Sequence, residues 1–290
     1  MTPESTPPAW QRPAGVAAGT WDYVHHGAIA RHYDGFVADT PLCQLDLDYV
    51  LRHLNPLIEN SFAGTGLPTR PILDLGCGTG RISVPLSHQG LDVLAIDLSL
   101  PMLGQLCQRT ADSDAKAPPQ TTAETKLGRL HPVQANLVQL DGIADQVASA
   151  AICMFSTLGM IQGAQNRLQF LKHVRRIVQP EGLMIAHVHR HLAALRETGG
   201  LGKLIRGAWQ AWRQPETEWG DAVYGYRGLE KMFMHRFSKR ELIRLLATAG
   251  WEVQVIDRVN LHGDGLTRSR WNTGGYFIVA QATGPVKGAV

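Results

Sequence analysis

Short apolar runs alternate with longer amphipathic stretches along this chain, and their periods predict an α/β protein. Ile72, Leu73 and Leu75 make a run too short for a helix and apolar enough for a strand buried on both faces. Similar runs predict strands at 93–96, 130–134, 148–154, 183–188, 251–256 and 276–280. Helical patterns lie between them. One starts at about Thr79 and stops at Gly90, a C-cap residue; another runs from Pro101 to about Gln108. Residues 166–178 are amphipathic and basic, and Pro180-Glu181-Gly182 ends that helix. Leu242, Leu245, Leu246 and Ala249 share a helical face that begins after Ser238, three residues ahead of Glu241 as a capping box requires. Ahead of the first strand, residues 20–60 are helical in two pieces that part near Pro41. Leu47, Val50, Leu51, Leu54, Leu57 and Ile58 stack on one face of the second piece, where Pro56 predicts a kink or an early end.

Three stretches break the alternation. Residues 60–70 are a polar, glycine-containing loop, and 110–128, with Pro118-Pro119, predict a long mobile loop without chemistry. Residues 190–232 exceed a simple strand-to-helix connection. They hold the basic amphipathic stretch 201–213 with Trp209 and Trp212, followed by Trp219, Tyr224 and Tyr226, and predict a lid over the end of the fifth strand. The aromatics either close a small core of the lid itself or offer an interaction surface.

Composition adds limits. An apolar fraction of 44% over 290 residues is ordinary for a globular chain, and a net charge of +3 neither demands nor excludes nucleic acid. Cys43, Cys77, Cys107 and Cys153 lack paired spacing, which argues for free thiols in a reducing, cytoplasmic setting and against a zinc site. No apolar run reaches membrane-spanning length, so no membrane is expected. Residues 1–19 read as a disordered tail without signal-peptide features, and 20–290 as one domain.

The chemistry centres on the turn after the first strand. Gly76-Cys77-Gly78-Thr79-Gly80 places glycine at alternate positions, where a ligand can approach the backbone and the next helix offers unpaired N–H groups. The spacing is not the G-x-G-x-x-G of dinucleotide binders. Asp97 ends the second strand about twenty residues later, where a carboxylate can accept both ribose hydroxyls; a lone Asp at a strand end is more often a helix cap.

Asp74-x-Gly76-x-Gly78-x-Gly80 resembles motif I of the class I S-adenosylmethionine (SAM) methyltransferases, and Asp97-x-Ser99-x-x-Met102-Leu103 resembles their acidic loop. The resemblance covers roughly residues 29–282. It implies a Rossmann-like seven-stranded mixed sheet of order 3-2-1-4-5-7-6, with the last strand antiparallel, helices on both faces and a helical lid. SAM is the implied cofactor. Asp74, Gly76, Cys77, Gly78, Gly80 and Asp97 would hold it, with Leu98 and Met102 beside the adenine. Asn136 stands where relatives often carry an Asp that takes the adenine amino group, and Leu137 would bring its N–H near the ring. Tyr33, in an Ala-Arg-His-Tyr-Asp run, resembles an entry-segment tyrosine across the methionyl end; it could also be a core residue. Phe155-Ser156-Thr157-Leu158-Gly159 resembles a turn that faces the sulfonium, so Phe155 joins the cofactor set and Ser156, Thr157 and Tyr226 line the substrate pocket.

A small-molecule acceptor is the expected partner. The segment His235-Arg236-Phe237 to Glu241-Leu242 also resembles tRNA wobble-uridine methyltransferases, which keeps an RNA acceptor open. A regulator that binds SAM without catalysis is a further alternative. If the acceptor needs a base, His235 and His189 are the candidates, since imidazole titrates near neutrality. Alternation would put His187, His189 and His191 on one strand face, but no carboxylate or cysteine adjoins them and no metal is expected.

Overall fold

Strand β1 (Ile72–Leu75) is buried along its whole length, and its alternation explains the layering of the molecule. Leu73 and Leu75 face one apolar core, Ile72 faces the other, and helices cover both faces of the sheet that separates them. The protein is described here by a computed structural model for residues 6–62, 70–116, 127–196, 199–214 and 217–283. The other strands are β2 (Val93–Asp97), β3 (Leu130–Gln134), β4 (Ala148–Cys153), β5 (Val178–His189), β6 (Asp221–Tyr226), β7 (Leu229–His235), β8 (Trp251–Val259) and β9 (Gly275–Ala282). Seven of them form one sheet in the order β3-β2-β1-β4-β5-β9-β8. The first four pairings are parallel, and β9 runs antiparallel to both β5 and β8. Counting only these seven, the expected order and the antiparallel last strand are present.

Nine α-helices are described: α1 (Ala18–His25), α2 (Gly27–Val37), α3 (Pro41–Phe62), α4 (Ser83–His88), α5 (Leu100–Lys116), α6 (Thr157–Met160), α7 (Ala164–Ile177), α8 (Gly200–Arg213) and α9 (Lys239–Thr248). Tyr49, Val50 and Leu54 of α3 pack on one sheet face with Leu86 of α4 and Leu106 of α5. Phe170, Leu171 and Val174 of α7 pack on the other with Leu242 and Leu246 of α9. Ser238 caps α9 in a complete capping box with Glu241.

Several local expectations change. Helix α3 continues through Pro56, because Pro56 lies on the exposed side, where the carbonyl that loses its partner meets water. Helix α4 begins at Ser83 instead of Thr79, since the three glycines take positive φ and delay the helix. Helix α5 runs to Lys116 and absorbs part of the expected loop; Arg109 anchors it by donating to Thr79 O and Asp34. The rest of that loop, at 117–126, lies outside the described residues, as do most of the 60–70 loop and residues 1–5 of the tail.

The segment 6–17 is not a loose tail. Arg12 donates to Pro7 O and Val16 O, Gln162 N–H to Gly15 O, and Asn136 Nδ2 to Ala14 O, while Val16 and Ala17 are buried. Composition rich in proline and alanine suggested disorder, but backbone carbonyls of this segment have specific donors on the domain. The stretch 190–232 is not purely helical either. After a 3-10 turn (His191–Arg196) and α8, it forms the antiparallel hairpin β6–β7, which continues to His235.

Candidate active site

The carboxyl ends of β1, β2 and β4 open into a cavity of about 330 Å³. Gly76 and Gly78 form its floor with φ of +76° and +55°. A Cβ at Gly76 would fall 2.5 Å from Thr157 Cγ2, whereas a Cβ at Gly78 would point into open space with only Tyr33 Cε1, at 4.0 Å, for a neighbour. Gly78 therefore keeps cavity volume clear, and Gly76 permits the loop to meet α6.

Asp97 stands beside this floor. Its Oδ2 accepts from Gly78 N–H at 2.8 Å and its Oδ1 from Ser99 N–H at 2.8 Å. Each oxygen keeps further acceptor capacity. Burial lifts the pKa of the carboxyl, opposed by the N–H groups of Ser99, Gly78 and Leu98. Leu98, Met102, Asn136 and Leu137 line the same side, with Val138. Asn136 Nδ2 is committed to Ala14 O, and Oδ1 accepts from Val138 N–H at 3.2 Å.

Tyr33, Phe155, Thr157, His189 and Tyr226 complete the predicted residues that line the cavity. Phe155 and Ser156 both adopt left-handed φ, +52° and +66°, which turns the chain sharply out of β4. The turn leaves Phe155 on the cavity and buries Ser156.

Five predicted residues do not line it. Asp74 is buried beneath the loop, where Oδ2 accepts from Ser83 Oγ at 2.6 Å; burial raises its pKa to about 6, against that hydrogen bond. Cys77 points into the core on α3's side of the sheet. Gly80 serves packing: a Cβ there would fall 2.2 Å from Leu106 Cδ1. Ser156 Oγ accepts from His189 N–H at 3.1 Å and so splices the β4 turn to β5. His235 is fully buried with both ring nitrogens engaged, Nδ1 on Asp221 at 2.7 Å and Nε2 on Glu241 at 2.6 Å. That pairing leaves His235 no nitrogen for an acceptor. Glu218 completes a group of possible metal ligands with His235 and Glu241, but Arg167 neutralises it at 2.6 Å.

The cavity roof comes from elements that motif reading missed. Thr20, Tyr23 and Val24 of α1 face Tyr224, Tyr226, Met232 and Met234 of the hairpin, and Gly15 and Val16 close the rim with Met160 and Ile161. Tyr23 and Tyr226 meet edge to face at 6.3 Å. Helix α1 approaches β7 so closely that a Cβ on Gly19 would lie 2.0 Å from Lys231 O. The hydroxyl of Thr20 is buried without a hydrogen-bond partner. The aromatic and methionine content of 224–234 was the available signal, but nothing in residues 15–24 marked them.

A second cavity, of about 680 Å³, adjoins the first. Phe155, His189, Tyr224 and Met234 line both. Arg190, Arg196, Arg236, His187 and His262 line only the second, and no carboxylate is among its lining residues. Burial lowers the pKa of His189 to about 4, aided by Arg236, so its ring is neutral near pH 7. His187 is fully buried, burial drives its pKa down, and its Nδ1 has no partner.

Comparison with known proteins bears on this site. Residues 48–255 match the model of a family described as a methyltransferase domain. YqeM of Bacillus subtilis (strain 168), which carries a methyltransferase name, is 31% identical over 121 residues, covering 41% of this chain and 42% of that protein. A ubiquinone biosynthesis O-methyltransferase of Rickettsia conorii is 32% identical over 114 residues, covering 39% and 33%. The chain thus spans less than half the length of these curated relatives. Among solved structures, a SAM-dependent methyltransferase from Methanosarcina mazei superposes with a TM-score of 0.56 at 20% identity, covering 79% of this chain and 97% of that one. The 1,6-didemethyltoxoflavin-N1-methyltransferase of Burkholderia thailandensis superposes with a TM-score of 0.55 at 16% identity, covering 91% and 86%. At these identities the superpositions speak for the fold. With the matched family spanning well over half of the chain, and with the strand order and glycine turn found here, this protein belongs to the methyltransferase-domain family and has the fold of the class I SAM-dependent methyltransferases.

Proposed function

We propose that the first cavity holds SAM and that the second admits a small, negatively charged methyl acceptor. The residues present fit the cofactor on three counts. Asp97 presents acceptor capacity beside Gly78, Gly78 keeps open the space a Cβ would take, and the buried hydroxyl of Thr20 lacks a partner. Asp97 would hold the ribose hydroxyls. Leu98, Met102 and the backbone of Leu137 would bracket the adenine, with Asn136 at its edge, and Tyr33 and Phe155 would cover the methionyl end. When bound, SAM supplies a methyl group activated by a sulfonium centre. The protein's own task is then alignment, which can contribute about 7–11 kcal/mol.

The observation that carries the acceptor assignment is the junction of the two cavities at Phe155, His189, Tyr224 and Met234. An acceptor in the second cavity would meet the first at these four residues. Thr157 and Tyr226 shape the first cavity's side of that junction. Three arginines and no carboxylate favour an anionic group on the acceptor. Arg190 is already steadied by the carbonyls of Arg270 and Thr273, which pre-orients it. His189, being neutral, is suited to hydrogen-bond and orient an acceptor hydroxyl or amine, while its lowered pKa makes it a weak base. The names of the Rickettsia and Burkholderia relatives cover an oxygen and a nitrogen acceptor, both of small molecules, and support this class. The chain 190–235 acts as the lid over this junction.

The test is incubation with methyl-labelled SAM and cell extract separated into small molecules, RNA and protein. Label should enter a small molecule retained on an anion exchanger, and His189→Ala should lower transfer while SAM affinity stays unchanged. Label in RNA, or in a cationic small molecule, would refute the acceptor reading.

A further inference from the structure

Helix α8 is built differently from every other helix described. Along Gly200–Arg213, Leu201, Ile205, Ala208, Trp209 and Trp212 share one side of the helical projection, and Arg206, Gln210 and Arg213 share the other. In a surface helix of a globular domain the apolar side faces the core. Here it faces solvent: Leu201 is 64% exposed, Ile205 62%, Trp209 51% and Trp212 80%. The helix rests on the 3-10 turn His191–Arg196, against which Gly200 is pressed so closely that a Cβ would lie 1.8 Å from Ala194 O. Leu192 and Leu195 of that turn are also open to solvent.

We infer that α8 lies in the surface of an anionic lipid bilayer. The segment carries Lys203, Arg206 and Arg213 and no acidic residue, while its opposite side offers two tryptophans among aliphatic residues. A helix with a basic polar side and a Trp-bearing apolar side settles at the boundary between head groups and acyl chains. The guanidinium of Arg213 lies 4.3 Å from the Trp209 ring centroid, which puts a charge at the edge of the apolar stripe, where phosphate groups would be met. No described helix is long and apolar enough to cross a membrane, so the association is peripheral. It departs from the expectation, drawn from the lack of a spanning run, that no membrane is involved.

Two other occupants fit less well. A second copy of α8 would bring one basic rim against another. RNA binding by stacking needs ring faces open to the bases, whereas the Arg213 guanidinium already lies over the Trp209 ring.

The experiment is sedimentation of the full chain with vesicles of phosphatidylcholine alone, or of phosphatidylcholine and phosphatidylglycerol in equal parts. The protein should partition onto the anionic vesicles, release with added salt, and show a blue shift of tryptophan fluorescence. Trp209→Ala/Trp212→Ala should abolish the binding. Arg206→Ala/Arg213→Ala should weaken it about thirtyfold, from about 1 kcal/mol per basic residue. All four side chains are exposed, and unchanged calorimetric SAM binding shows that each variant is folded. Failure of the wild type to sediment with either vesicle overturns the inference. So does a dimer that the tryptophan variant dissolves without vesicle binding, or retention of polyuridylate, in the absence of vesicle binding, that either variant loses.

Discussion

At the scale of single residues, the glycine run shows how neighbouring positions of one motif do different work. Gly78 borders the cavity and Gly80 borders Leu106. Gly78→Val should therefore abolish SAM binding in calorimetry while costing only about 1–2 kcal/mol of stability for its left-handed backbone. Gly80→Ala should do the reverse, lowering the thermal midpoint through overpacking of about 1–3 kcal/mol and leaving the cavity intact. Asp97→Ala should weaken SAM by about 1.5–3 kcal/mol, the scale of hydrogen bonds to a charged acceptor. If the folded variant binds SAM normally, the ribose assignment fails. The motif announced the loop but could not say which way each residue faces. Asp74 and Cys77 look like members of the site in sequence, yet the alternation of β1 and the turn after it send both inward. Thr20 was invisible, because a hydroxyl on a short helix has no pattern to mark it until β7 arrives opposite.

At the scale of elements, the hairpin β6–β7 is held at both ends. Helix α1 packs on β7 through Gly19, so Gly19→Val should push α1 away from Lys231 and weaken SAM binding, while the sheet keeps its stability. At the other end, His235 ties β7 to Asp221 of β6 and to Glu241 of α9. Burial alone would lower its pKa, but the hydrogen bonds its ring donates to these two carboxylates outweigh it and raise the value above that of free imidazole. Stability from a raised pKa is complete below the unfolded value of about 6.5 and is lost as pH climbs through the folded value. Glu241 shifts the other way: burial raises its pKa but the His235 hydrogen bond wins and lowers it, so its share is lost in acid. The thermal midpoint of the wild type should thus decline as pH rises from about 6 into the alkaline range. His235→Gln should flatten that decline and cost about 3–5 kcal/mol near neutrality, the loss expected when a buried charge partner is removed. The elements themselves were legible where a single period ran unbroken, as in β1, α7 and α9. The hairpin was not, because its strands are half exposed and its aromatics alternate with glycine and polar residues, as in Tyr224-Gly225-Tyr226.

At the scale of the whole molecule, the sheet order was readable only through the family resemblance that the glycine turn and the acidic loop carry. The closure of the cavity was not, since it joins residue 15 to residue 234 across the entire fold. Contacts between such distant segments leave no local trace in either one. The position of β9 has a consequence of another kind. It is the last of the described strands to be made, yet it lies inside the sheet, paired along one edge to β5 and along the other to β8. Its residues are almost all buried. On a ribosome that adds about 5–20 residues per second, β5 is therefore finished some ninety residues, or about 5–20 s, before its neighbour exists. Throughout that interval its edge offers unpaired backbone groups and apolar side chains to any other strand. A nascent chain arrested at residue 260 should bind chaperones that recognise exposed apolar segments, whereas release of residues up to 282 should complete the sheet in one step.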